Sequence, residues 1–181
     1  KIEIAKSAGF CFGVKKAVDR VYELVKAGEK IAVLGELIHN RTVTDDLEQK
    51  GVVTIEDAAK CPKDFVLVIR THGVGRDTVL EAERTAREVI DLTCPYVKAI
   101  HEIVDRESAR GRQVVIAGDK SHPEVLGICG WVHGSAHVVG SVEDAARLRL
   151  SGVCLVAQTT MNRSVFEKIA EAVCTYCEDV E

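Results

Sequence analysis

The chain has 181 residues, with 24 Lys and Arg against 28 Asp and Glu, a net charge of −4; 46% of residues are apolar and 29% charged. These proportions suit a folded globular chain rather than a disordered one. They argue against a polyanion binder, which wants basic patches and stacking rings where this chain is mildly acidic with 4% aromatics. No apolar run approaches the roughly 18 residues of a membrane span.

Lys1–Lys6 alternates like a short strand and does not read as a secretory segment. The cysteines number seven, an odd count in a chain large enough to fold without staples, so a reducing cytoplasm is the expected setting. Cys174-Thr175-Tyr176-Cys177 is the one CxxC, and no second pair stands at zinc-finger distance.

Val14, Ala17, Val18, Val21, Leu24 and Val25 recur at helical spacing, with Gly28 placed to close the helix. The runs Ile31–Leu34, Phe65–Ile69, Val114–Ala117 and Val153–Ala157 have the length and apolarity of buried parallel strands. Arg76–Val89 and Pro95–Ala109 read as helices, and Asn162 can cap a last one across Val165, Ile169, Ala170 and Val173. Strands alternating with helices predict an α/β fold with parallel sheets.

The chain also echoes itself. Cys11 and Cys94 stand 83 residues apart, as do His39 and His122. Thr71 and Thr159, after two of the buried runs, repeat at 88. One repeat is therefore one small parallel-sheet lobe with flanking helices. We expect lobes over residues 11–93 and 94–181, with residues 1–10 left over as a strand.

In a parallel sheet, functional side chains gather at the carboxyl ends of the strands. Cys11 and Cys94 each precede a helix, where the macrodipole stabilises a negative sulfur. Gly9 and Gly13 flank Cys11 and permit close approach of a ligand; Pro95 suits a first helical position. One such cysteine reads best as a small buried residue, but the matched pair points to thiolate chemistry.

His39, His72 and His122 each follow an apolar strand. Alone, each is ordinarily structural; three on one edge beside two cysteines suit the grip of a small anion such as phosphate. Glu124 reads either as a first-turn acid or as a proton donor to substrate. Thr159 and Thr160 read as a strand ending or as partners for that carboxyl. Cys61, Cys129 and Cys154 look structural, His101, His133 and His137 show no partner pattern, and Trp131 is uninformative. These residues leave three functions open: an iron–sulfur enzyme, a metal-independent cysteine/histidine enzyme acting on a small phosphate ester, and a non-catalytic anion-binding domain.

Six motifs taken together are specific. They are Gly9-Phe10-Cys11-Phe12-Gly13-Val14-Lys15-Lys16-Ala17, Gly35-Glu36-Leu37-Ile38-His39-Asn40, Arg70-Thr71-His72-Gly73-Val74, Asp91-Leu92-Thr93-Cys94-Pro95, His122-Pro123-Glu124-Val125-Leu126-Gly127 and Gln158-Thr159-Thr160. In this order they resemble the LytB family, the 4-hydroxy-3-methylbut-2-enyl diphosphate reductases of the non-mevalonate isoprenoid route. The resemblance implies a three-lobed α/β protein around a [4Fe-4S] cluster, each lobe giving one cysteine, with Cys11 and Cys94 as the first two ligands and one iron left open for substrate. It implies that His39, His72 and His122 hold the diphosphate. Glu124 would deliver protons, and Thr159 or Thr160 would complete the relay. The products would be isopentenyl and dimethylallyl diphosphate, and the electron donor ferredoxin or flavodoxin.

The family's third cysteine stands in a Thr-Ile-Cys segment ahead of a third lobe. Cys177 repeats the offset of 83 from Cys94, yet it follows a Ser164–Val173 helix directly and reads as the turn into a strand. The expectation is therefore that two of three lobes are present, with the third ligand beyond Glu181. The two lobes alone are expected to be inactive, and the first strand to pair with the absent lobe.

Overall fold

In a computed structural model the described residues are 2–3 and 8–181. The strand expected over Lys1–Lys6 falls largely at positions 1 and 4–7, outside the described residues. The chain divides into two compact units: Lys1–Thr71 with Leu80–Cys94, and His72–Val79 with Pro95–Glu181.

The first unit opens with α1 (Phe12–Lys26), whose buried stripe is Ala17, Val18, Val21 and Leu24. Gly28, at φ +76°, turns the chain out of that helix where a side chain would be strained. There follow β1 (Ile31–Leu34), α2 (Arg41–Gln49), β2 (Val53–Ile55), β3 (Val66–Ile69), α3 (Arg76–Thr85), whose residues up to Val79 count with the second unit, and β4 (Glu88–Asp91). The second unit carries α4 (Pro95–Ala109), β5 (Gln113–Ala117), α5 (Pro123–Cys129), β6 (Ala136–Val139), α6 (Val142–Ala145), β7 (Ser151–Ala157), α7 (Arg163–Tyr176) and β8 (Glu178–Val180).

Each unit holds a four-stranded parallel sheet, ordered β2-β1-β3-β4 and β6-β5-β7-β8. The central pairs register Val33 with Val68 and Ile116 with Val156. Every residue of β1 and β3 is buried, as are Val114–Ala117 of β5, which is why these segments read as unbroken apolar runs. The edge strands are short and half-exposed. Val53 and Ala136, which open the corresponding edges β2 and β6, lie 83 residues apart.

The helix expected over Arg76–Val89 ends at Thr85, and Glu88–Asp91 leaves it to pair with β3. An open sheet edge offers this segment ladder hydrogen bonds that outweigh its local helical preference. The other predicted helices hold: Asn162 caps α7 by accepting the Ser164 N–H at 2.9 Å.

In both sheets the chain runs from the first strand to one side and then back across to the other. The switch points, where ligands of open α/β sheets bind, therefore lie at the carboxyl ends of β1 and β3 in one unit and of β5 and β7 in the other.

Candidate functional site

At the first switch point, the loop after β3 fastens the loop after β1. Buried Thr71 donates its hydroxyl to the Leu37 carbonyl at 3.1 Å. Arg70 lays its guanidinium against Gly35, so closely that a Cβ on Gly35 would come within 1.9 Å of Arg70 Nη1. Gly35 stands at φ +72°, and both features require glycine there. Burial pushes the Arg70 pKa down, while Glu56 and Glu36 pull it back up, so a cation is held in a desolvated place. His39 follows on this loop, exposed, with Nδ1 3.4 Å from a Glu36 carboxylate oxygen. The next residue, Asn40, caps α2 by accepting the Val43 N–H.

Cys11 and Cys94 belong to the same unit. Cys11 is the exposed N-cap residue of the 15-residue α1, but its side chain makes no capping bond. No acid stands in the first turn of α1, so nothing there offsets the positive end of the helix at this sulfur. Cys94 is half-buried immediately before α4, its N–H donated to the Thr71 carbonyl at 2.9 Å. An Asp91 carboxylate accepting the Thr93 N–H at 2.9 Å turns the chain from β4 toward it. Phe12, next to Cys11, and Leu92, two residues before Cys94, line one groove whose charges are mixed, Lys15, Lys16 and Arg20 beside Asp19, Glu23 and Asp91.

The second switch point carries the acid. Glu124, in the first turn of α5, is 2% exposed. Its two oxygens face the loop after β7: Thr159 donates its N–H to one at 2.6 Å and its hydroxyl to the other at 2.8 Å. Thr160 points elsewhere, accepting Gln158 Nε2 at 2.8 Å. Gln158 in turn accepts the Asp119 N–H at 3.1 Å and ties the ends of β5 and β7 together. Of the two threonines, then, Thr159 meets the carboxyl.

His122 caps α5 with Nδ1, which accepts the Glu124 N–H at 3.1 Å. An accepting Nδ1 places the ring proton on Nε2 and aims that nitrogen as a donor. His72 lies edge-on to this ring, with centroids 5.5 Å apart and planes at 79°. The unit thus presents two imidazoles and one buried carboxyl on a single helix start and its neighbouring strap.

All seven cysteines are thiols. Burial pushes Cys61, Cys129 and Cys154 up in pKa, which suits the inert packing expected of them. Cys177 ends α7 and is buried in the apolar core of the second sheet, while Cys174 is exposed. Two residues without an assigned role in the sequence make close contacts. His133 Nε2 lies 2.8 Å from Asp105, and Trp131 donates its indole N–H to the Val74 carbonyl at 2.8 Å. Arg70, Thr71 and Gln158 lie inside recognised motifs, but only a buried strand end beside a loop glycine hints at their part.

Among the described residues no helix is long and apolar enough to cross a membrane. A family model described as "LytB protein" matches residues 2–181. The 4-hydroxy-3-methylbut-2-enyl diphosphate reductase of Thermoanaerobacter sp. is 43% identical over 178 residues, which cover 96% of this chain and 62% of that one. The Campylobacter hominis enzyme of the same name is 41% identical over 182 residues, covering 99% and 65%. Among solved structures, the Plasmodium falciparum E-1-hydroxy-2-methyl-but-2-enyl-4-diphosphate reductase superposes with a TM-score of 0.87 at 27% identity, over 97% of this chain and 57% of that one. A second, (E)-4-hydroxy-3-methyl-but-2-enyl diphosphate reductase, described as the terminal enzyme of the non-mevalonate pathway, gives 0.82 at 35% identity, over 99% and 66%. The chain thus spans a little under two thirds of the length of these relatives.

Proposed function

The chain belongs to the LytB protein family, and from that premise we propose that it supplies two lobes of an oxidoreductase that removes the hydroxyl of 4-hydroxy-3-methylbut-2-enyl diphosphate. The observation that carries the reading is the Glu124–Thr159 pair, a buried carboxyl held at a switch point beside two imidazoles.

The overall change takes two electrons and two protons into the allylic alcohol and releases water, leaving isopentenyl or dimethylallyl diphosphate. His122, with its proton on Nε2, and His72 donate to the diphosphate oxygens; His39, on the first unit, is assigned an anion-binding role as well. Glu124 holds the proton for the departing hydroxyl. In its ionised form it accepts the Thr159 hydroxyl, and once protonated it donates to Thr159 Oγ1 instead, releasing that hydroxyl's hydrogen to point outward. The pair can therefore pass a proton without either residue moving.

The chemistry of the donor set fits an iron–sulfur cluster: two sulfurs of one unit, each at the start of a helix. Cys11 and Cys94 are the proposed ligands, and a bound [4Fe-4S] cluster would supply the electrons. Cys177, buried in the core, is poorly placed as a third. Electrons would come from a reduced ferredoxin or flavodoxin, and the free thiols suit a cytoplasmic protein.

The test is an anaerobic preparation of the intact protein, read by visible absorption, iron content and turnover of the diphosphate with reduced ferredoxin. Iron, a brown colour and turnover that collapses in Glu124→Gln are the expected result. Activity in a colourless, iron-free protein that alkylation of one cysteine abolishes would move the assignment to a thiol nucleophile.

A further inference from the structure

His72 lies on a segment with no regular structure of its own. Residues Thr71–Gly75 are neither helix nor strand, so contacts outside the segment must fix the position of the ring. Thr71 is held by the Leu37 carbonyl and the Cys94 N–H; beyond it the contacts fall on the far end of α5, the helix whose start carries His122 and Glu124.

Two glycine pairs bring backbone against backbone. A Cβ on Gly130 would stand 2.5 Å from Gly75 Cα, and one on Gly127 would stand 3.4 Å from Gly73 C and 3.5 Å from the His72 carbonyl oxygen. Hydrogen bonds then lock the segment: Trp131 Nε1 donates to the Val74 carbonyl at 2.8 Å, and the Arg76 N–H donates to the Gly130 carbonyl at 3.2 Å. The Trp131 ring also lies 5.2 Å below the Arg76 guanidinium and is stacked on buried His101 at 5.3 Å. Arg76 closes the set on Asp105 of α4, which also binds His133.

One short helix therefore acts as a rigid bar, with His122 at one end and the grip on the His72 segment at the other. We propose that Trp131 and Gly130 are positioning residues for the anion-binding pair, setting the 5.5 Å separation of the His72 and His122 rings. Two donors to one diphosphate lose affinity when their spacing drifts by even about half an ångström. A grip made of glycine packing and one indole N–H holds the spacing without adding side chains near the ligand. This inference rests on the assignment of His72 and His122 to a diphosphate.

The experiment measures the Kd of inorganic diphosphate by calorimetry, and KM and kcat for the substrate, on the intact protein. Trp131→Phe keeps the ring on Arg76 and His101 and deletes only the N–H. It is expected to raise Kd and KM together by about fivefold, the worth of one hydrogen bond, with kcat within about twofold. The His72 ring resonances should shift in the same variant. Gly130→Ala, which drives a methyl into Gly75, is expected to weaken binding further; should it fail to fold, Trp131→Phe carries the test alone. His72→Ala is the control. If it binds diphosphate as wild type does, the anion-site assignment falls and this inference with it. If it binds weakly while Trp131→Phe keeps wild-type Kd and KM, the assignment stands and the positioning role is overturned.

Discussion

Thr159 closes on Glu124 through two donors at once, its backbone N–H at 2.6 Å and its hydroxyl at 2.8 Å, so both carboxyl oxygens of a 2%-exposed side chain are engaged by one residue from the opposite strand end. Because the hydroxyl can also accept, the same geometry holds the protonated acid and the amide of glutamine. Glu124→Gln is therefore expected to fold with near wild-type stability and to lose about 10²- to 10⁴-fold in kcat. Thr159→Val should cost activity while Thr159→Ser keeps it. Steady-state turnover beside thermal melting separates the two effects, and a Glu124→Gln enzyme with full kcat would remove Glu124 from the proton path.

The thiols differ in access and in ionisation. Cys11 and Cys174 are exposed, whereas Cys61, Cys154 and Cys177 are buried, and burial pushes Cys61 and Cys154 above the ordinary thiol range. Iodoacetamide on the metal-free protein is expected to label Cys11 and Cys174 first, with the buried thiols reacting only on unfolding. Anaerobic loading with iron and sulfide should protect Cys11 and Cys94 and leave Cys174 reactive. Peptide mass spectrometry reads each site, and an equally reactive Cys11 in the loaded protein would count against its ligand role.

Burial pushes the Asp105 carboxyl up, but hydrogen bonds from His133 and Arg76 outweigh it and hold the folded pKa below the ordinary carboxylate value. A depressed folded pKa means that the unfolded chain binds more protons over that interval, so stability rises with pH through it. The contribution of Asp105 is complete above its unfolded value near ~3.9 and disappears as pH falls through the lower folded value. Melting midpoints of wild type and Asp105→Asn should therefore differ at neutral pH and converge as the pH falls below the ordinary carboxylate range. A constant gap across the acid range would show that Asp105 contributes nothing through its charge.

Gly35→Ala meets two obstacles, a φ of +72° and a guanidinium within 1.9 Å of the new Cβ. The long Arg70 side chain can swing away, but only by giving up its half-buried place, and the backbone strain remains. A loss of about 1–3 kcal/mol in denaturant unfolding is expected. Arg70→Met should relieve the collision and recover part of that loss.

Much of the α/β fold was legible because burial writes itself into composition. The four strands predicted from apolar runs are the four central strands β1, β3, β5 and β7. The other four are the sheet edges, which carry no such run: sequences such as Glu88-Val89-Ile90-Asp91 and Glu178-Asp179-Val180 mix charge with apolar residues because one side faces solvent, and only a strand after Cys177 was expected among them, its bounds unread. The same blindness explains why the helix expected to reach Val89 stops at Thr85: the competing partner, the free edge of β3, is remote in sequence.

For the candidate site, the chain by itself determined which chemistries are present. The matched cysteines, the histidines after apolar strands and the acid at a helix start are local patterns, each visible within a few residues. Only the tertiary structure decided that Thr159, not Thr160, meets Glu124, that Arg70 lies on Gly35, and that Trp131 grips the carbonyl beside His72. Those pairings join residues 35 or more positions apart. Hydrogen-bond geometry between them depends on where parallel strands end relative to one another, which sheet packing fixes and no local pattern records.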